Sequence, residues 1–297
     1  TGMNIFSLVS HRYYVDYRQA FDTVNRKVMI NRLEMLGIPK KLLNLVEMTL
    51  TDTKAVVKVE RCYTDPFLIN AGVRQGDSLS ALLFILTMES VIRSTGINGT
   101  IKTKSRQLLA YADDVVISAT NLQSLDEAFT TLQNESALVG LDVNISKTAY
   151  MKNSRTSSNN TDNIVLNNLH FAHQHNFIYL GSNMNSQNSI SAEIQARIQA
   201  ANRASFAHKN LLKSKIISRG AKLVIYKTLI RPIATYACET WTLKKEDILK
   251  LSVFERRILR KIFGPVQENC GSWRARMNFE LEQLMEEETI VRFIKSR

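Results

Sequence analysis

The feature that most constrains this chain is a pair of adjacent acids, Asp113 and Asp114, which stand between two short apolar runs. The runs lie within Leu108–Ala119 and are too short for a typical helix, so they predict two strands of a hairpin. The acids would then lie at the turn, where they avoid the cost of facing an apolar interior and can share divalent cations. An ordinary surface turn is the alternative interpretation, because Asp is favoured in turns, but the apolar flanks argue against it.

A third acid has a similar context. His11–Tyr17 is rich in aromatic and β-branched residues, which predicts a strand with Asp16 near its end. A strand, a long helical crossing and a hairpin would allow Asp16 to lie beside Asp113 and Asp114 on one antiparallel sheet. Phosphoryl transfer to a 3′-hydroxyl needs such a set, because two Mg²⁺ ions about 3.5–4 Å apart stabilise the attacking and leaving oxygens. Carboxylates and substrate phosphates are the ligands that Mg²⁺ prefers.

The charge distribution predicts the kind of partner. The chain of 297 residues has a net charge of +12, and residues 190–297 hold 21 Lys and Arg against 11 Asp and Glu. A block this basic predicts nucleic acid as a partner, although a solvated helix face would have the same composition. The longest apolar run, Ala81–Met88, is too short to cross a membrane, and no signal-peptide pattern opens the chain. Three widely spaced cysteines predict reduced thiols in an intracellular protein.

Hydrophobic periodicity predicts the other elements. The predicted helices cover residues 26–36, 40–50, 78–94, 125–139, 190–212, 221–231 and 248–262, and further strands cover 54–61, 66–71, 147–151 and 177–181. The helix that ends at Ser94 is apolar on most sides and is expected to be buried. Gly220 is expected to break the helix that precedes it, and Pro232 is expected to stop the next one. Residues 153–163 are expected to form a polar surface loop.

Five motifs have an order and spacing that resembles the palm of reverse transcriptases, specifically those of non-LTR (LINE-type) retrotransposons. The motifs are Asp16–Asp22, Gly72–Ser80, Tyr111–Asp114, Gly140–Thr148 and Tyr179–Gly181. Later segments, Thr228–Pro232, Glu239–Trp241 and Phe254–Pro265, resemble the region after the palm in endonuclease–reverse transcriptases of such elements. The resemblance covers nearly the whole chain, with Ala81 standing where the family usually has proline.

The resemblance implies a fold and a domain order. The fold would be of the α+β class, a right-hand polymerase palm with an antiparallel sheet and packed helices, followed by a helical thumb. The palm would cover residues 1–188, with partial fingers-side elements at 26–71, and residues 189–297 would form the thumb and a post-thumb segment. The sequence lacks the upstream fingers and endonuclease domain of such relatives, so we expect it to be an excerpt of a longer polypeptide.

The resemblance also implies an activity, RNA-directed DNA polymerase, with an RNA template, a DNA primer and deoxynucleoside triphosphates as partners. Asp16, Asp113 and Asp114 would be catalytic and would hold two Mg²⁺ ions, with Mn²⁺ as a substitute, and Asp113 would have the firmer role of the turn pair. Lys147 would orient phosphate or protonate the departing pyrophosphate, unless it is only a solvated strand end.

Other roles follow from the same motifs. Phe21 matches the family's steric gate, which would clash with a 2′-hydroxyl, and its alternative is plain core packing. Residues expected to line the nucleotide and template are Arg74, Gln75 and Gly76, and those expected to form the primer grip are Tyr179, Leu180 and Gly181. Residues expected to contact the phosphates of the primer–template are Arg197, Arg203, Lys209, Lys213, Lys215, Arg219, Lys222 and Lys227. Such contacts would give salt-dependent, sequence-independent affinity.

Two other interpretations compete with a polymerase core. One is a truncated, catalytically inactive nucleic-acid-binding remnant of a retrotransposon, for which truncation argues and against which the intact acids argue. The other is a palm polymerase of another kind, such as a group II intron maturase or an RNA-dependent RNA polymerase, which Tyr111–Asp114 and the downstream segment disfavour. Family behaviour further implies action in the nucleus at integration, without a membrane partner.

Overall fold

The computed structural model describes residues 10–97, 106–153, 164–166, 169–269, 271–286 and 288–297. Packing divides the chain into two compact units. The first unit is Thr1–Leu180 with Asn185–Asn188, and the second is Gly181–Met184 with Ser189–Arg297. The polar loop expected at residues 153–163 lies, apart from Asn153, outside the described residues.

Most strands belong to the first unit. Its strands are β1 (Ser10–Val15), β2 (Lys54–Ala55), β3 (Lys58–Val59), β4 (Cys62–Tyr63), β5 (Phe67–Leu68), β6 (Arg106–Tyr111), β7 (Asp114–Ala119), β8 (Ala149–Asn153), β9 (Ile164–Leu166), β10 (Leu169–Phe171) and β11 (Asn176–Tyr179). The next strand, β12 (Ser182–Asn185), belongs to the second unit except for Asn185. The helices of this unit are α1 (Ala20–Thr23), α2 (Arg26–Met35), α3 (Lys40–Leu50), α4 (Ser78–Ser94) and α5 (Leu122–Leu138). The helix predicted at residues 40–50 is therefore found with the expected bounds.

A four-stranded antiparallel sheet in the order β6-β7-β1-β8 forms the centre of the first unit. In the β6–β7 hairpin, Tyr111 pairs with Asp114, so the turn consists of Ala112 and Asp113. Ala112 has a left-handed φ of 52°, which closes the turn in two residues. The predicted hairpin and the predicted strand before Asp16 are confirmed.

Aromatic side chains hold one face of this sheet. Tyr13 of β1 is fully buried, and its ring centroid lies 5.2 Å from that of Phe129 in α5 and 4.9 Å from that of Phe171 in β10. Leu125, Phe129 and Leu132 are buried at helical spacing, so α5 packs one face against the sheet. Each such buried side chain contributes about 1.5–3 kcal/mol relative to an exposed one.

Two predictions in the first unit were wrong. Helix α4 buries Leu83 and Phe84, but Leu82 is 53% exposed and Ile85 is 51% exposed, so one side of this apolar helix faces out of the unit. Residues 54–61 do not form one strand, because β2 pairs with β5 whereas β3 forms a separate hairpin with β4. The left-handed residue Glu60, with φ of 53°, lies in the turn of that hairpin and reverses the chain.

The second unit is mainly helical. Its helices are α6 (Ser191–Ala207), α7 (Lys209–Lys213), α8 (Arg219–Ile225), α9 (Arg231–Ala234), α10 (Lys245–Phe263), α11 (Asn278–Leu284) and α12 (Ile290–Ser296), and its last strands are β13 (Val266–Gln267) and β14 (Trp273–Arg274). Its core contains Ile194 and Ala201 of α6, Leu251 and Ile258 of α10, and Ile290 of α12. These apolar positions recur every three or four residues within α10, which places one face of that helix in the core.

Three helix predictions in this unit were wrong. His208 separates α6 from α7, and Gly220 is the second residue of α8 and not a break. Pro232 does not stop a helix, because Tyr226–Ile230 forms a π-helical turn and α9 begins immediately after it. Pro232 lies in the first turn of α9, where a missing N–H is tolerated.

The fold combines an antiparallel sheet, packed helices and a separate helical unit, so the predicted α+β class is confirmed. The assignment of residues 1–188 to a palm and of residues 189–297 to a thumb stays a prediction. Within the described parts of the chain, no helix combines the length and the apolar character needed to span a bilayer.

Candidate functional site

The three acids that the sequence singled out lie at one edge of the central sheet. Val15 of β1 pairs with Val115 of β7. Asp16 follows Val15 and Asp114 precedes Val115, so the antiparallel register sets both acids at the same end of neighbouring strands. Asp113 occupies the adjoining hairpin turn. Asp16 is half-buried, whereas Asp113 and Asp114 are exposed.

The three carboxylates influence one another electrostatically. The pKa of the Asp114 carboxyl is raised, first by partial desolvation and then by the negative charges of Asp113 and Asp16. In addition, Asp16 Oδ2 is buried and has no hydrogen-bond partner among the described residues. Both features cost free energy, and a cation bound between the carboxylates would offset that cost.

This arrangement fits a divalent cation by the chemistry of its donors, since oxygen ligands suit Mg²⁺. Among the residues that the structure describes, however, no three or more His, Cys, Asp or Glu side chains are already gathered around one metal position. The acids therefore share one edge of the sheet, and the three-carboxylate ligand set stays a prediction.

The backbone of Asp16 is held by the loop between α5 and β8. The Asp16 N–H donates to Thr148 Oγ1 at 3.3 Å, and the Asp16 carbonyl accepts from the Asn144 N–H at 2.8 Å. The same loop also packs on the segment after Asp16 at Gly140, which has φ of 84° and where a Cβ would lie 2.7 Å from the Thr23 carbonyl oxygen. The motif Gly140–Thr148 thus positions the first acid through contacts to its main chain. Lys147 is exposed on the same loop, and its proposed role in phosphate chemistry stays a prediction.

The glycine-rich loop packs on the segment that follows Asp16. Gly72 has φ of 75°, and a Cβ there would lie 2.5 Å from the Asp22 carbonyl oxygen. The Val73 N–H donates to the Phe21 carbonyl at 2.7 Å. Gln75 Nε2 donates to the Asp22 carboxylate, with distances of 3.4 and 3.5 Å to its two oxygens. Two motifs separated by about fifty residues are therefore joined at one place.

Phe21 itself stacks on Phe84 of α4, with ring centroids 4.3 Å apart and an interplanar angle of 20°. The ring is half-buried, so it serves core packing whatever else it does, and the steric-gate role stays a prediction. Arg74 and Gly76 are exposed on the same loop as Gln75, where a substrate could reach them.

Arg26 is a positioning residue that the sequence did not reveal. Its guanidinium donates to the carbonyls of Gly72, Leu50 and Ile69 and to the Thr53 hydroxyl, at distances of 2.7–2.8 Å. It therefore ties the glycine-rich loop to α2 and α3. The sequence signal that could have revealed this role is an arginine as the first residue of a predicted helix. A positive charge is unfavourable there because it opposes the helix dipole, so its presence indicates another use.

Tyr179 of the predicted primer grip lies close to the acids. Its hydroxyl donates to the Asp114 carbonyl at 3.4 Å, and its ring centroid lies 5.4 Å from that of Tyr14 in β1. Partial burial and then the charge of Asp114 raise the pKa of Tyr179, so its hydroxyl stays protonated and can donate. Phe177, which lies in β11 with Tyr179, also stacks on Tyr14, with ring centroids 4.7 Å apart. The following residue, Leu180, has a left-handed φ of 47° and ends the strand.

The eight basic residues of the predicted nucleic-acid surface do not share one environment. Those exposed are Arg203, Lys209, Lys213, Lys215 and Arg219. By contrast, Lys222 is only 8% exposed, Lys227 pairs with Glu288 at 2.6 Å, and Arg197 pairs with Glu193. The five exposed residues are available to a polyanion without rearrangement, whereas the other three would first lose burial or an ion pair.

Comparison with known proteins defines the class of this chain. The family described as reverse transcriptase (RNA-dependent DNA polymerase) matches residues 9–184, which is more than half of the chain. The chain therefore belongs to the reverse transcriptase family, and the resemblance seen in its motifs is confirmed.

The relatives are polyproteins and proteins of retrotransposable elements. The chain is 33% identical over 138 residues to the retrovirus-related Pol polyprotein from type-1 retrotransposable element R2 of Popillia japonica, covering 45% of this chain and 19% of the relative. It is 24% identical over 263 residues to the RNA-directed DNA polymerase from mobile element jockey of Drosophila funebris, and this match covers 84% of this chain and 28% of the relative. The chain therefore spans less than a third of the length of either relative.

Among solved structures, the chain is similar to telomerase from Candida tropicalis in complex with a fragment of telomeric RNA. The two chains are 15% identical, with a TM-score of 0.49, and the match covers 98% of this chain and 47% of that one.

Proposed function

We propose that this chain carries out template-directed nucleotidyl transfer, adding deoxynucleotides to a DNA primer on an RNA template. The observation that carries the proposal is the meeting of Asp16, Asp113 and Asp114 at one edge of the sheet, in a chain that belongs to the reverse transcriptase family. Action on a chromosomal primer would place the protein in the nucleus.

Asp16, Asp113 and Asp114 would hold two Mg²⁺ ions, or Mn²⁺ in their place. The buried, unpartnered oxygen of Asp16 and the mutual repulsion at Asp114 support this assignment, because both are relieved by positive charge. Divalent ions bound there supply Lewis-acid stabilisation of the attacking and leaving oxygens.

The other residues act by position and charge. The contacts from Thr148 and Asn144 fix the backbone of Asp16, so its carboxylate is presented from a rigid strand end. Gln75, hydrogen-bonded to Asp22, would orient the incoming nucleotide, and Phe21 on the same segment would exclude a 2′-hydroxyl. Lys147 would give a proton to the departing pyrophosphate.

Two surfaces would bind the nucleic acid. Tyr179, held against the Asp114 carbonyl, would place the primer end near the acids together with Leu180 and Gly181. The exposed residues Arg203 and Lys209, with their exposed neighbours, would contact phosphates of the duplex without reading its sequence.

Primer extension by the 297-residue chain on an RNA template, with Mg²⁺ and deoxynucleoside triphosphates, tests the proposal. We expect Asp113→Asn to abolish extension and to leave duplex binding intact, whereas the exposed matched control Asp65→Asn should extend like the wild type. Extension that persists in Asp113→Asn would refute the assigned site. A wild-type chain that binds duplex with a steep salt dependence but never incorporates a nucleotide would instead identify a binding remnant.

A further inference from the structure

Two side chains of α6 hold the backbone that follows Leu180. The Arg197 guanidinium donates through Nε to Glu193 Oε1 at 2.5 Å, and one of its terminal nitrogens donates to the Gly181 carbonyl. The other oxygen of the same carboxylate, Glu193 Oε2, accepts from the Asn183 N–H at 2.9 Å. A carbonyl and an amide two residues apart are therefore both tied to one ion pair.

Tyr236 completes this arrangement, which we call the α6 clamp and define as Glu193, Arg197 and Tyr236. The Arg197 guanidinium carbon lies 4.5 Å from the centroid of the Tyr236 ring, a cation–π contact. The same ring lies against Gly181, where an added Cβ would be 3.6 Å from ring atoms. Arg197 is thus contacted on its edge by a carboxylate and a carbonyl and on its face by an aromatic ring.

This environment does not suit an arginine that binds the duplex backbone. The Arg197 side chain is 18% exposed and the Glu193 side chain 7%, so the pair is largely shielded from solvent. The two residues are spaced i, i+4 on a helix, which brings them together without any other element moving. To reach a phosphate, Arg197 would have to leave Glu193 carrying an unpaired, poorly solvated charge. By contrast Arg203, six residues further along the same helix, is exposed and meets no such cost.

We propose that Arg197 is a positioning residue, which together with Glu193 fixes the backbone of residues 181–183 and makes no phosphate contact. The inference rests on the proposed function, because residues 179–181 are the predicted primer grip and their position would set the position of the primer end. It reassigns Arg197 from the nucleic-acid surface to the machinery that aligns the primer. The second donor of the guanidinium is essential to this role, since one nitrogen serves Glu193 and another serves Gly181.

The variants Arg197→Ala, Arg197→Lys and Glu193→Gln test the proposal, with Arg203→Ala as the matched control on the same helix. Binding to a primer–template duplex is measured across a series of salt concentrations. Loss of one phosphate contact reduces by about 1 the steepness with which the log of the binding constant falls against the log of the salt concentration, and we expect this reduction for Arg203→Ala. We expect the slope of Arg197→Ala to equal that of the wild type.

Primer extension distinguishes alignment from affinity. We expect Arg197→Ala and Arg197→Lys to lower kcat by about tenfold to a hundredfold with little change in the KM for primer–template, because a displaced primer end reacts slowly. Lysine retains the charge but not the paired donors, so it should not rescue. A reduced salt slope in Arg197→Ala, together with restored extension in Arg197→Lys, would overturn the proposal and make Arg197 a phosphate ligand.

Hydrogen exchange separates this inference from the proposed function. We expect the Asn183 amide to exchange faster in Glu193→Gln and Arg197→Lys than in the wild type or Arg203→Ala, with the unfolding midpoint of each variant confirming that it is folded. Unchanged exchange in both variants would refute the clamp. If the Asn183 amide exchanges faster in these two variants but the wild-type chain never extends a primer, the clamp is supported and polymerase activity is refuted.

Discussion

Replacement of Gly72 by alanine tests the contact that joins the glycine-rich loop to the segment after Asp16. Gly72 has φ of 75°, and an added Cβ would lie 2.5 Å from the Asp22 carbonyl oxygen and 2.6 Å from the Asp22 Cα. Both atoms belong to the backbone, so the loop would have to withdraw by about 1 Å to reach an ordinary contact. Left-handed strain adds about 1–2 kcal/mol and overpacking about 1–3 kcal/mol, so Gly72→Ala should destabilise the first unit by about 2–5 kcal/mol.

Gly37→Ala is the matched control, because Gly37 has φ of 88° but no atom within 4 Å of an added Cβ. It should cost only the strain, about 1–2 kcal/mol. Both tryptophans, Trp241 and Trp273, belong to the second unit, so urea unfolding followed by tryptophan fluorescence should be similar in the two variants. Hydrogen exchange of the β1 and β7 amides reports the first unit, and equal losses of protection there would refute the argument from close approach.

Withdrawal of the loop should also affect chemistry. The hydrogen bond from Gln75 to Asp22 already spans 3.4–3.5 Å, so a shift of about 1 Å would break it. Misplacement by this distance costs about a hundredfold in rate where alignment matters. Primer extension by Gly72→Ala should fall accordingly, whereas extension by Gly37→Ala at a temperature where it is folded should not.

Three further predictions concern other parts of the first unit. Arg26→Ala should lower the free energy of unfolding of this unit in urea by about 3 kcal/mol, because four acceptors lose a charged donor. Arg18→Ala, which breaks an ion pair whose two side chains are both more than half exposed, should lower it by under about 0.5 kcal/mol. Equal effects of the two substitutions would contradict this prediction. Burial, and then the charge of Lys152, lower the pKa of His11 below 6.5, so the unfolded chain takes up the proton first. The contribution of His11 to the free energy of unfolding should therefore be full above pH 6.5 and should be lost as the pH falls through the lowered pKa. His11→Gln should flatten this loss. An unchanged pH profile in His11→Gln would exclude His11 as its source. Mg²⁺ at 100 times its Kd should raise the free energy of unfolding of the wild type by about 2.7 kcal/mol and that of Asp16→Asn by much less. An equal rise in Asp16→Asn would mean that the ion binds elsewhere.

Local patterns account for the parts of the fold that were predictable. The hairpin at Leu108–Ala119 and the helix Lys40–Leu50 depend on turn residues and periodicity within a dozen positions, and both were found as expected. The approach of Asp16 to Asp113 and Asp114 was predictable as well, because each acid ends or begins a strand and antiparallel pairing aligns such ends. Family membership followed from the motifs, since their order along the chain is itself a property of the sequence.

Distant contacts decided the features that were not predictable. Residues 190–212 have one apolar period, yet the chain breaks at His208; nothing in the local pattern marks that residue as a helix end. Pro232 reads as a helix stop, but a π-helical turn just before it allows the chain to continue as α9. In both cases packing within the helical unit outweighs helix propensities, which amount to less than about 1 kcal/mol for ordinary residues.

The sequence by itself determined the hairpin at Leu108–Ala119, the helix Lys40–Leu50 and the motifs, because turn chemistry and hydrophobic periodicity act between neighbours along the chain. Only the tertiary structure decided the use of each polar side chain. Arg197 and Arg203 stand six residues apart with the same charge, but one is enclosed by Glu193, Gly181 and Tyr236 whereas the other is exposed. The physical reason is that a guanidinium's partners are set by what packs around it, and two of these partners, Gly181 and Tyr236, come from segments that only folding brings to the helix.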